Sequence, residues 1–107
     1  MFNMALPLSN KVIAVTGAAS GIALATSKIL FERGASLSLA DLQKERLDAA
    51  VATITGGSKD AESRILTTAV DVGSSDSVDE WIKKTVEKFG HIDGAANLAG
   101  VVGPHIG

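Results

Sequence analysis

The sequence predicts an α/β fold in which a doubly wound parallel sheet carries helices on both faces. Apolar segments of strand length alternate along the chain with segments of helical periodicity. The connections between them are short, which favours right-handed crossovers onto one parallel sheet. The 107 residues contain no linker, internal repeat or low-complexity block, so they form one small domain at most. The expected strand order is 3-2-1-4, which leaves strand four at an open edge.

The first half of the chain supplies two strands and two helices. Residues 12–15 are apolar without polar alternation, as in a strand buried on both faces. Residues 22–33 follow as a helix, with Gly34 at the position of a C-terminal cap. Residues 35–40 form a second short strand that ends at Asp41. Apolar residues then recur at helical spacing and predict the second helix: Leu47, Ala50, Val51 and Ile54.

The second half repeats this alternation. Residues 55–63 are polar and contain glycine, which predicts a loop, whereas residues 65–70 favour a strand. The third helix has candidate N-caps among residues 74–77, with Ser77 and Glu80 at capping-box spacing. Its apolar face includes Trp81, which favours a core position over a platform for stacking. The small, mostly apolar residues 92–98 predict a fourth strand.

The composition excludes several classes of function. The formal net charge is -2 and no run of Lys or Arg is present, so the basic surface of a nucleic-acid-binding or membrane-surface protein is missing. The absence of cysteine excludes a disulfide framework and a thiolate zinc site. The N-terminal residues do not read as a signal peptide, and no segment has the length and apolarity of a membrane span. We therefore expect a cytoplasmic protein.

Small residues concentrate in the turn between the first strand and the first helix, at residues 16–23 (TGAASGIA). Gly17 suits the backbone of a tight turn, and Gly21 lets the main chain approach a diphosphate. The helix N-terminus that follows presents unpaired N–H groups and the positive end of its dipole to an anion. The strand-to-helix context favours this phosphate-binding interpretation, although the same glycine spacing also occurs in simple tight turns.

An acidic residue, Asp41, stands at the end of the second strand. It follows Ala23 at close to the spacing of about 20 residues at which an acid meets the adenosine ribose. A carboxylate there accepts hydrogen bonds from the ribose hydroxyls and repels a 2′-phosphate. Its neighbours offer no compensating cation, which predicts NAD rather than NADP; these neighbours are Ala18, Ala19, Leu42 and Gln43. The alternative is that Asp41 is only the N-cap of the second helix.

The loop TGAASGIA resembles the TGxxxGxG loop of the short-chain dehydrogenase/reductase family. Three further segments are similar to that family: Asp71-Val72 to its adenine-contacting pair, residues 89–93 to its FGxID sequence, and residues 97–100 to its NNAG segment. The similarity extends from residue 11 to about residue 102. It departs from the family pattern at Ala23, where a third glycine is usual, and at Leu98, which replaces the second Asn.

This resemblance implies a truncated, Rossmann-like NAD-binding domain at residues 11–107, preceded by an N-terminal extension at residues 1–10. The implied cofactor-binding residues lie in the glycine-rich loop and at the ends of the later strands: Gly17, Ser20, Gly21, Ile22, Asp41, Asp71, Val72, Asn97, Ala99 and Gly100. The implied cofactor is NAD. The implied function is the N-terminal part of an NAD(P)-dependent dehydrogenase that transfers hydride between nicotinamide and an alcohol or ketone.

The same resemblance implies that the catalytic Tyr and Lys of the family lie in its second half, where the Tyr transfers the proton of the substrate hydroxyl. This sequence contains no Tyr, so no catalytic residue is assigned and the chain alone is not expected to turn over substrate. No serine or carboxylate is recognisably placed to partner His91 or His105. The helix dipole accounts for the acidic residues that open the third helix, so no metal site is predicted.

A second hypothesis is a non-catalytic module that binds an adenine nucleotide or pairs with another chain. The uncharged fourth strand at an open sheet edge motivates it, because such an edge is a template for self-association. Under either hypothesis the expected small-molecule partner is a nicotinamide or adenine nucleotide, and neither nucleic acid nor a membrane is expected. The sequence indicates no particular substrate.

Overall fold

The computed structural model describes residues 7–58, 61 and 63–97. Strands and helices alternate through these residues, as the sequence predicts: β1 Val12–Thr16, α1 Gly21–Glu32, β2 Ser36–Asp41, α2 Lys44–Thr55, β3 Ile65–Ala69, α3 Ser75–Phe89 and β4 Gly94–Asn97. Ala61 lies inside the segment predicted as a loop, yet it is helical and packs against the apolar core. Within the described ranges no helix has the length and apolarity to cross a membrane.

The strands form one parallel sheet in the order β3-β2-β1-β4, which confirms the predicted fold class. Thr16 at the end of β1 is paired with Ala40 in β2 and with Asn97 in β4. Ala40 is in turn paired with Thr68 near the end of β3. The carboxyl ends of the described strands therefore lie at one edge of the sheet, where open α/β sheets bind their ligands.

Apolar side chains form a separate cluster on each face of the sheet. Leu37 and Leu39 in β2 are fully buried in the cluster that includes residues of α1 and α2. Alternation along the strand places Ala40 on the opposite face, where it packs with Trp81 of α3. Each fully buried leucine contributes roughly 1.5–3 kcal/mol relative to an exposed one. Helices thus cover both faces, as expected from the apolar sequence of the strands.

A buried polar network attaches α3 to β2. The indole Nε1 of Trp81 donates to Ser38 Oγ at 2.8 Å, and Thr85 Oγ1 donates to the Trp81 carbonyl at 2.8 Å. Since the Thr85 hydroxyl proton is used in that bond, the Ser38 hydroxyl donates across the 2.6 Å contact to Thr85 Oγ1. Trp81 is only 3% exposed, which confirms its predicted core position.

The N-cap of α3 differs from the predicted capping box. Ser74 is the N-cap, and its hydroxyl accepts the N–H of Ser77 at 3.3 Å. The Ser77 hydroxyl instead accepts the N–H of Asp71 at 3.1 Å, so it secures the end of the β3 segment rather than the helix start. At the other end, Gly90 has a φ of 89°, a left-handed conformation that glycine adopts at helix ends with little steric cost.

Candidate nucleotide-binding site

The loop between β1 and α1 has the geometry of an anion-binding turn. Gly17 has a φ of 65°, and its carbonyl accepts the N–H of Ser20 at 3.0 Å, which closes the turn. The Ser20 hydroxyl accepts the N–H of Ala23 at 3.2 Å and is the N-cap of α1. Within the part of the chain that the structure describes, the N–H groups of Gly21 and Ile22 have no acceptor. These two donors are therefore free to bind an anion at the helix N-terminus.

Gly21 faces open space. Apart from its chain neighbours and the backbone of its own helix, a Cβ at this position would have no atom within 4 Å, and the φ of Gly21 is not in the left-handed region. Neither protein packing nor backbone conformation therefore requires glycine at this position. The space beside the free N–H donors is open to an anion that approaches the main chain closely, and a methyl group at residue 21 would project into it.

Asp41 is the last residue of β2 and is half-buried. Its Oδ2 accepts the N–H of Ala19 at 3.1 Å, and its Oδ1 accepts the N–H of Gln43 at 3.1 Å. The N-cap of α2 is Gln43, which makes no side-chain capping bond. The alternative assignment of Asp41 as that N-cap is therefore wrong, because Asp41 lies two residues before the N-cap and its carboxylate reaches across to the glycine-rich loop.

A second bond also ties the loop to β2. The N–H of Ala18 donates to the carbonyl of Ala40 at 3.0 Å, beside the Ala19–Asp41 contact. The glycine-rich turn and the acid at the end of β2 thus form one hydrogen-bonded unit at the carboxyl edge of the sheet.

Arg46 is a residue of this site that the sequence reasoning missed. It lies in the first turn of α2, is exposed, and its Nη2 donates to the carbonyl of Ala19 in a long hydrogen bond of 3.4 Å. Arg46 lies outside the loop and five residues after Asp41, beyond the near neighbours Leu42 and Gln43. Because α2 begins at residue 44, directly after β2, its first turn lies beside the loop. An early helix start in the sequence would therefore have indicated Arg46.

The end of β3 brings a second acidic residue and apolar surface to the same edge. Asp71 Oδ1 accepts the N–H of Gly73 at 2.9 Å, which forms a local turn after the strand. Val72, in that turn, is 53% exposed, and Leu42, directly after β2, is 68% exposed. Exposed apolar side chains at the ends of two adjacent strands offer contact surface for a flat ring such as adenine.

The predicted site residues at the C-terminal end of the chain are only partly covered by the described residues. The backbone of Asn97 pairs with Thr16 at the carboxyl end of β4. Ala99 and Gly100 lie outside the described residues, as does His105. The structure therefore brings together most of the predicted set at one edge: Gly17, Ser20, Gly21, Ile22, Asp41, Asp71, Val72 and the backbone of Asn97.

His91 has a carboxylate partner, contrary to the expectation from sequence. Its Nε2 lies 2.8 Å from Asp93 Oδ2 and 3.1 Å from the carbonyl of Asn10. Asp93 Oδ2 also accepts the N–H of Val12, and this hydrogen bond is the main cause that lowers the pKa of Asp93. Nearby positive charge lowers this pKa further, and partial desolvation opposes the shift. His91 and Asp93 lie at the amino ends of β1 and β4, opposite the edge that holds the glycine-rich turn, which indicates a structural role.

No metal centre is found in the described residues, where no group of three or more His, Cys, Asp or Glu side chains is placed to hold an ion.

The family model for short chain dehydrogenases matches residues 11–106. The chain belongs to the short-chain dehydrogenase family. The family binds NAD(P). A curated relative, short-chain dehydrogenase/reductase aba4 of Botryotinia fuckeliana (strain B05.10), is 48% identical over 101 residues. That match covers 94% of this chain and 38% of the relative.

Solved structures of short-chain dehydrogenases share the fold. The crystal structure of levodione reductase matches with a TM-score of 0.76 and 39% identity, over 82% of this chain and 33% of that one. NAD+-bound xylitol dehydrogenase matches with a TM-score of 0.74 and 31% identity, over 83% of this chain and 33% of that one. The chain thus contains the N-terminal part of a short-chain dehydrogenase and spans about 38% of the length of the curated relative.

Proposed function

We propose that this chain binds NAD and forms the cofactor-binding part of an oxidoreductase that transfers hydride between nicotinamide and an alcohol or ketone. The observation that carries the proposal is the hydrogen bond from the Ala19 N–H to Asp41, which joins a phosphate-binding turn to a ribose-binding acid. Bound NAD would supply the hydride-accepting nicotinamide ring. The residues of this chain would bind and orient its adenosine diphosphate half.

The diphosphate would lie at the N-terminus of α1. The free N–H groups of Gly21 and Ile22 would donate to its oxygens, and the open space at Gly21 would admit them. The helix dipole adds about 0.3–1 kcal/mol for a charge at this position, and up to about 2 kcal/mol in a partly buried geometry. Ser20 would contribute by holding the turn in shape through its capping bond to Ala23.

Asp41 supports NAD as the preferred cofactor. Its carboxylate would accept hydrogen bonds from the 2′- and 3′-hydroxyls of the adenosine ribose. A 2′-phosphate carries about 1.5 to 2 negative charges at neutral pH. Two like unit charges about 4 Å apart near a protein surface repel by about 4 kcal/mol. This repulsion would disfavour NADP.

The adenine ring would lie between the apolar side chains that follow β2 and β3. Leu42 and Val72 are both exposed and would be covered by the ring, which offsets part of the entropy lost on binding. Asp71 would stay in its turn with Gly73 and fix the backbone of Val72. By their resemblance to the NNAG segment, we also assign cofactor contacts to Asn97, Ala99 and Gly100.

The chain contains no Tyr, so it does not supply the acid–base Tyr that the family resemblance implies, and we assign it no catalytic residue. We also propose that the protein is cytoplasmic, as expected from its composition.

A Gly21→Ala variant tests the binding proposal. The added methyl meets no protein atom within 4 Å, so the fold is expected to remain intact, but it would project into the diphosphate space. We expect isothermal titration to show NAD and 5′-AMP binding weakened about tenfold or more, the equivalent of at least 1.4 kcal/mol. Thermal unfolding of the unliganded variant should match or exceed that of the wild type, because alanine favours helix over glycine.

The matched control is Ser75→Ala, a change at the first residue of α3. It alters the same position of a different helix and should leave nucleotide affinity unchanged. Equal affinity of the wild type and Gly21→Ala for NAD would overturn the proposed diphosphate site. Absence of NAD and AMP binding by the folded wild type would overturn the nucleotide function itself.

A second candidate function is association with another chain through β4. In the described sheet β4 is an end strand that pairs only with β1. Ile82 and Val86, one helical turn apart on α3, are 37% and 43% exposed. An uncharged edge strand is open to pairing with a further strand. In this candidate function, the partner is a second copy of this chain.

A further inference from the structure

The outer edge of β3 lies at the opposite end of the sheet from β4, and among the described strands β3 pairs only with β2. At the start of β3, the Arg64 carbonyl accepts the Leu37 N–H at 2.7 Å. After its end, the Val70 N–H donates to the Asp41 carbonyl at 2.9 Å. Since alternate residues of a parallel strand direct both backbone groups to the same neighbour, three residues direct theirs away from β2: Ile65, Thr67 and Ala69.

This outer edge lacks the features that usually prevent the addition of a strand. Residues 65–69 (ILTTA) contain no charged residue, proline or glycine. A groove of about 310 Å³ opens beside the strand on the side of α2, and another of about 250 Å³ opens on the side of α3. An added strand places alternate side chains on the two faces of the sheet, and these grooves have room for them.

A stripe of charged side chains on α3 borders the same edge. Its members recur every four residues, with acids in the first half of the helix and lysines in the second, and all are exposed; this α3 stripe consists of Asp76, Glu80, Lys84 and Lys88. Its first three members line the groove beside Thr68 and Ala69. The helix dipole favours this order of charges in any helix. The order also makes the stripe complementary to a reversed copy of itself.

We propose that β3 pairs with β3 of a second copy of this chain, in antiparallel orientation about a two-fold axis at Thr67. Thr67 then exchanges both of its outward backbone hydrogen bonds with Thr67 of the partner subunit, and Ile65 pairs with Ala69 of the partner subunit. The two four-stranded sheets become one continuous sheet. Such an interface is isologous, because each copy contributes the same surface.

The two-fold axis also brings the α3 helices together. α3 packs over β2 and β3, and neighbouring strands are about 4.8 Å apart, so the two copies of α3 lie about 10 Å apart, the distance of packed helices. They run antiparallel, which sets Glu80 opposite Lys84 of the partner subunit. The same reversal sets Asp76 opposite Lys88 of the partner subunit. This charge complementarity favours a second copy over another partner, and it uses a different edge from the association through β4.

Sedimentation equilibrium of the 107-residue chain tests the interface through two charge reversals, Glu80→Lys and Lys84→Glu. We expect the wild type to form a dimer of twice 10.9 kDa that weakens at high salt. Each reversal sets like charges against each other at both symmetry-related contacts, so each variant alone should dimerise about tenfold or more weakly. An equimolar mixture of the two variants should form a heterodimer, because the two changes together restore opposite charges at both contacts.

The matched controls are Asp79→Lys and Lys83→Glu, which make the same charge reversals at neighbouring residues of α3 that do not line the groove beside β3. Both should dimerise as the wild type does. A Thr67→Pro variant tests the strand contact separately, because it removes an outward N–H and leaves the bonds to β2 in place. It should be monomeric. Circular dichroism checks that each variant is folded, and the charge reversals decide the matter if the proline variant is not.

Three results would overturn the inference. The first is a wild type that stays monomeric at high concentration. The second is a dimer that Glu80→Lys weakens no more than Asp79→Lys does. The third is a dimer that dissociates in Ala95→Lys, because that change lies on β4 and leaves the edge of β3 unaltered. Titration of the wild type with NAD is a separate measurement, so failure of this interface and failure of the proposed nucleotide function are distinguishable.

Discussion

Gly21 and Asp41 occupy their positions for different physical reasons. Gly21 touches nothing that a methyl group would displace, so its small size matters only to a molecule outside the fold. Asp41 accepts two backbone N–H groups and would contribute to loop geometry even without a ligand. A substitution at Gly21 is therefore expected to weaken binding without disturbing protein contacts, whereas a substitution at Asp41 would change both binding and local structure.

At the same scale, the buried hydroxyl of Ser38 is expected to stabilise the fold through Trp81. In a Ser38→Ala variant the indole N–H of Trp81 loses its acceptor in a site that is only 3% exposed. We expect a loss of about 1–3 kcal/mol in the free energy of unfolding, measured by urea denaturation. Ser36→Ala, on the same strand but only half-buried, is the control.

A double-mutant cycle with Trp81→Phe isolates the bond, because that variant removes the donor. Ser38→Ala should lower the free energy of unfolding less in the Trp81→Phe background than in the wild type. An equal loss of unfolding free energy in both backgrounds would show that the hydrogen bond between Trp81 and Ser38 adds no stability beyond packing.

The positions of the glycine-rich loop and Asp41 could be predicted from the sequence, whereas the contacts of Arg46 and of His91 could not. The glycine-rich loop and Asp41 follow from spacing along the chain, and the structure places them together. Arg46 was missed because it meets Ala19 across 27 positions of sequence. The partnership of His91 with Asp93 was missed because it depends on how the chain bends back toward Val12 before β4.

At the scale of the element, the strands were predicted well and their ends less well. β4 begins at Gly94 rather than at residue 92, because Asp93 already uses its backbone and side chain to bind Val12. The start of α3 was placed correctly among residues 74–77, but Ser74 rather than Ser77 is its cap. Apolar periodicity predicts where an element lies, whereas its ends depend on hydrogen bonds that the sequence leaves open.

The junction between β1 and β4 should weaken in acid. Val12 donates its N–H to Asp93, and this bond lowers the pKa of that carboxyl below its ordinary value of 3.8. A group with a lower pKa in the folded state stabilises the fold fully above the unfolded pKa and loses that contribution as the pH falls through the folded pKa. Stability should therefore decrease as the pH falls below about 3.8.

Urea denaturation across this pH range checks the expectation with Asp93→Asn, whose amide oxygen can still accept the Val12 N–H but does not titrate. The variant should lose less stability between neutral and acid pH than the wild type does. Asp79→Asn, an exposed change on α3, controls for net charge. If acid lowers the stability of the wild type and of the Asp93→Asn variant equally, this explanation is wrong.

At the scale of the whole molecule, β4 is an end strand of the sheet within the described residues, and α3 has exposed apolar side chains. If the second candidate function holds, light scattering at high concentration should give a mass near twice 10.9 kDa. An Ala95→Lys change on the exposed part of β4 should restore the monomer, because a charged edge strand resists pairing. Ala52→Lys on the exposed face of α2 is the control. A monomeric wild type at high concentration would count against strand pairing.

The attachment of the loop to β2 has a kinetic consequence. Ala18 and Ala19 are already hydrogen-bonded to Ala40 and Asp41 before any nucleotide arrives, so the turn is pre-organised. A rigid receptor loses little conformational entropy on association, and its encounter needs no slow rearrangement. Nucleotide should therefore associate in a single fast phase whose rate rises linearly with concentration.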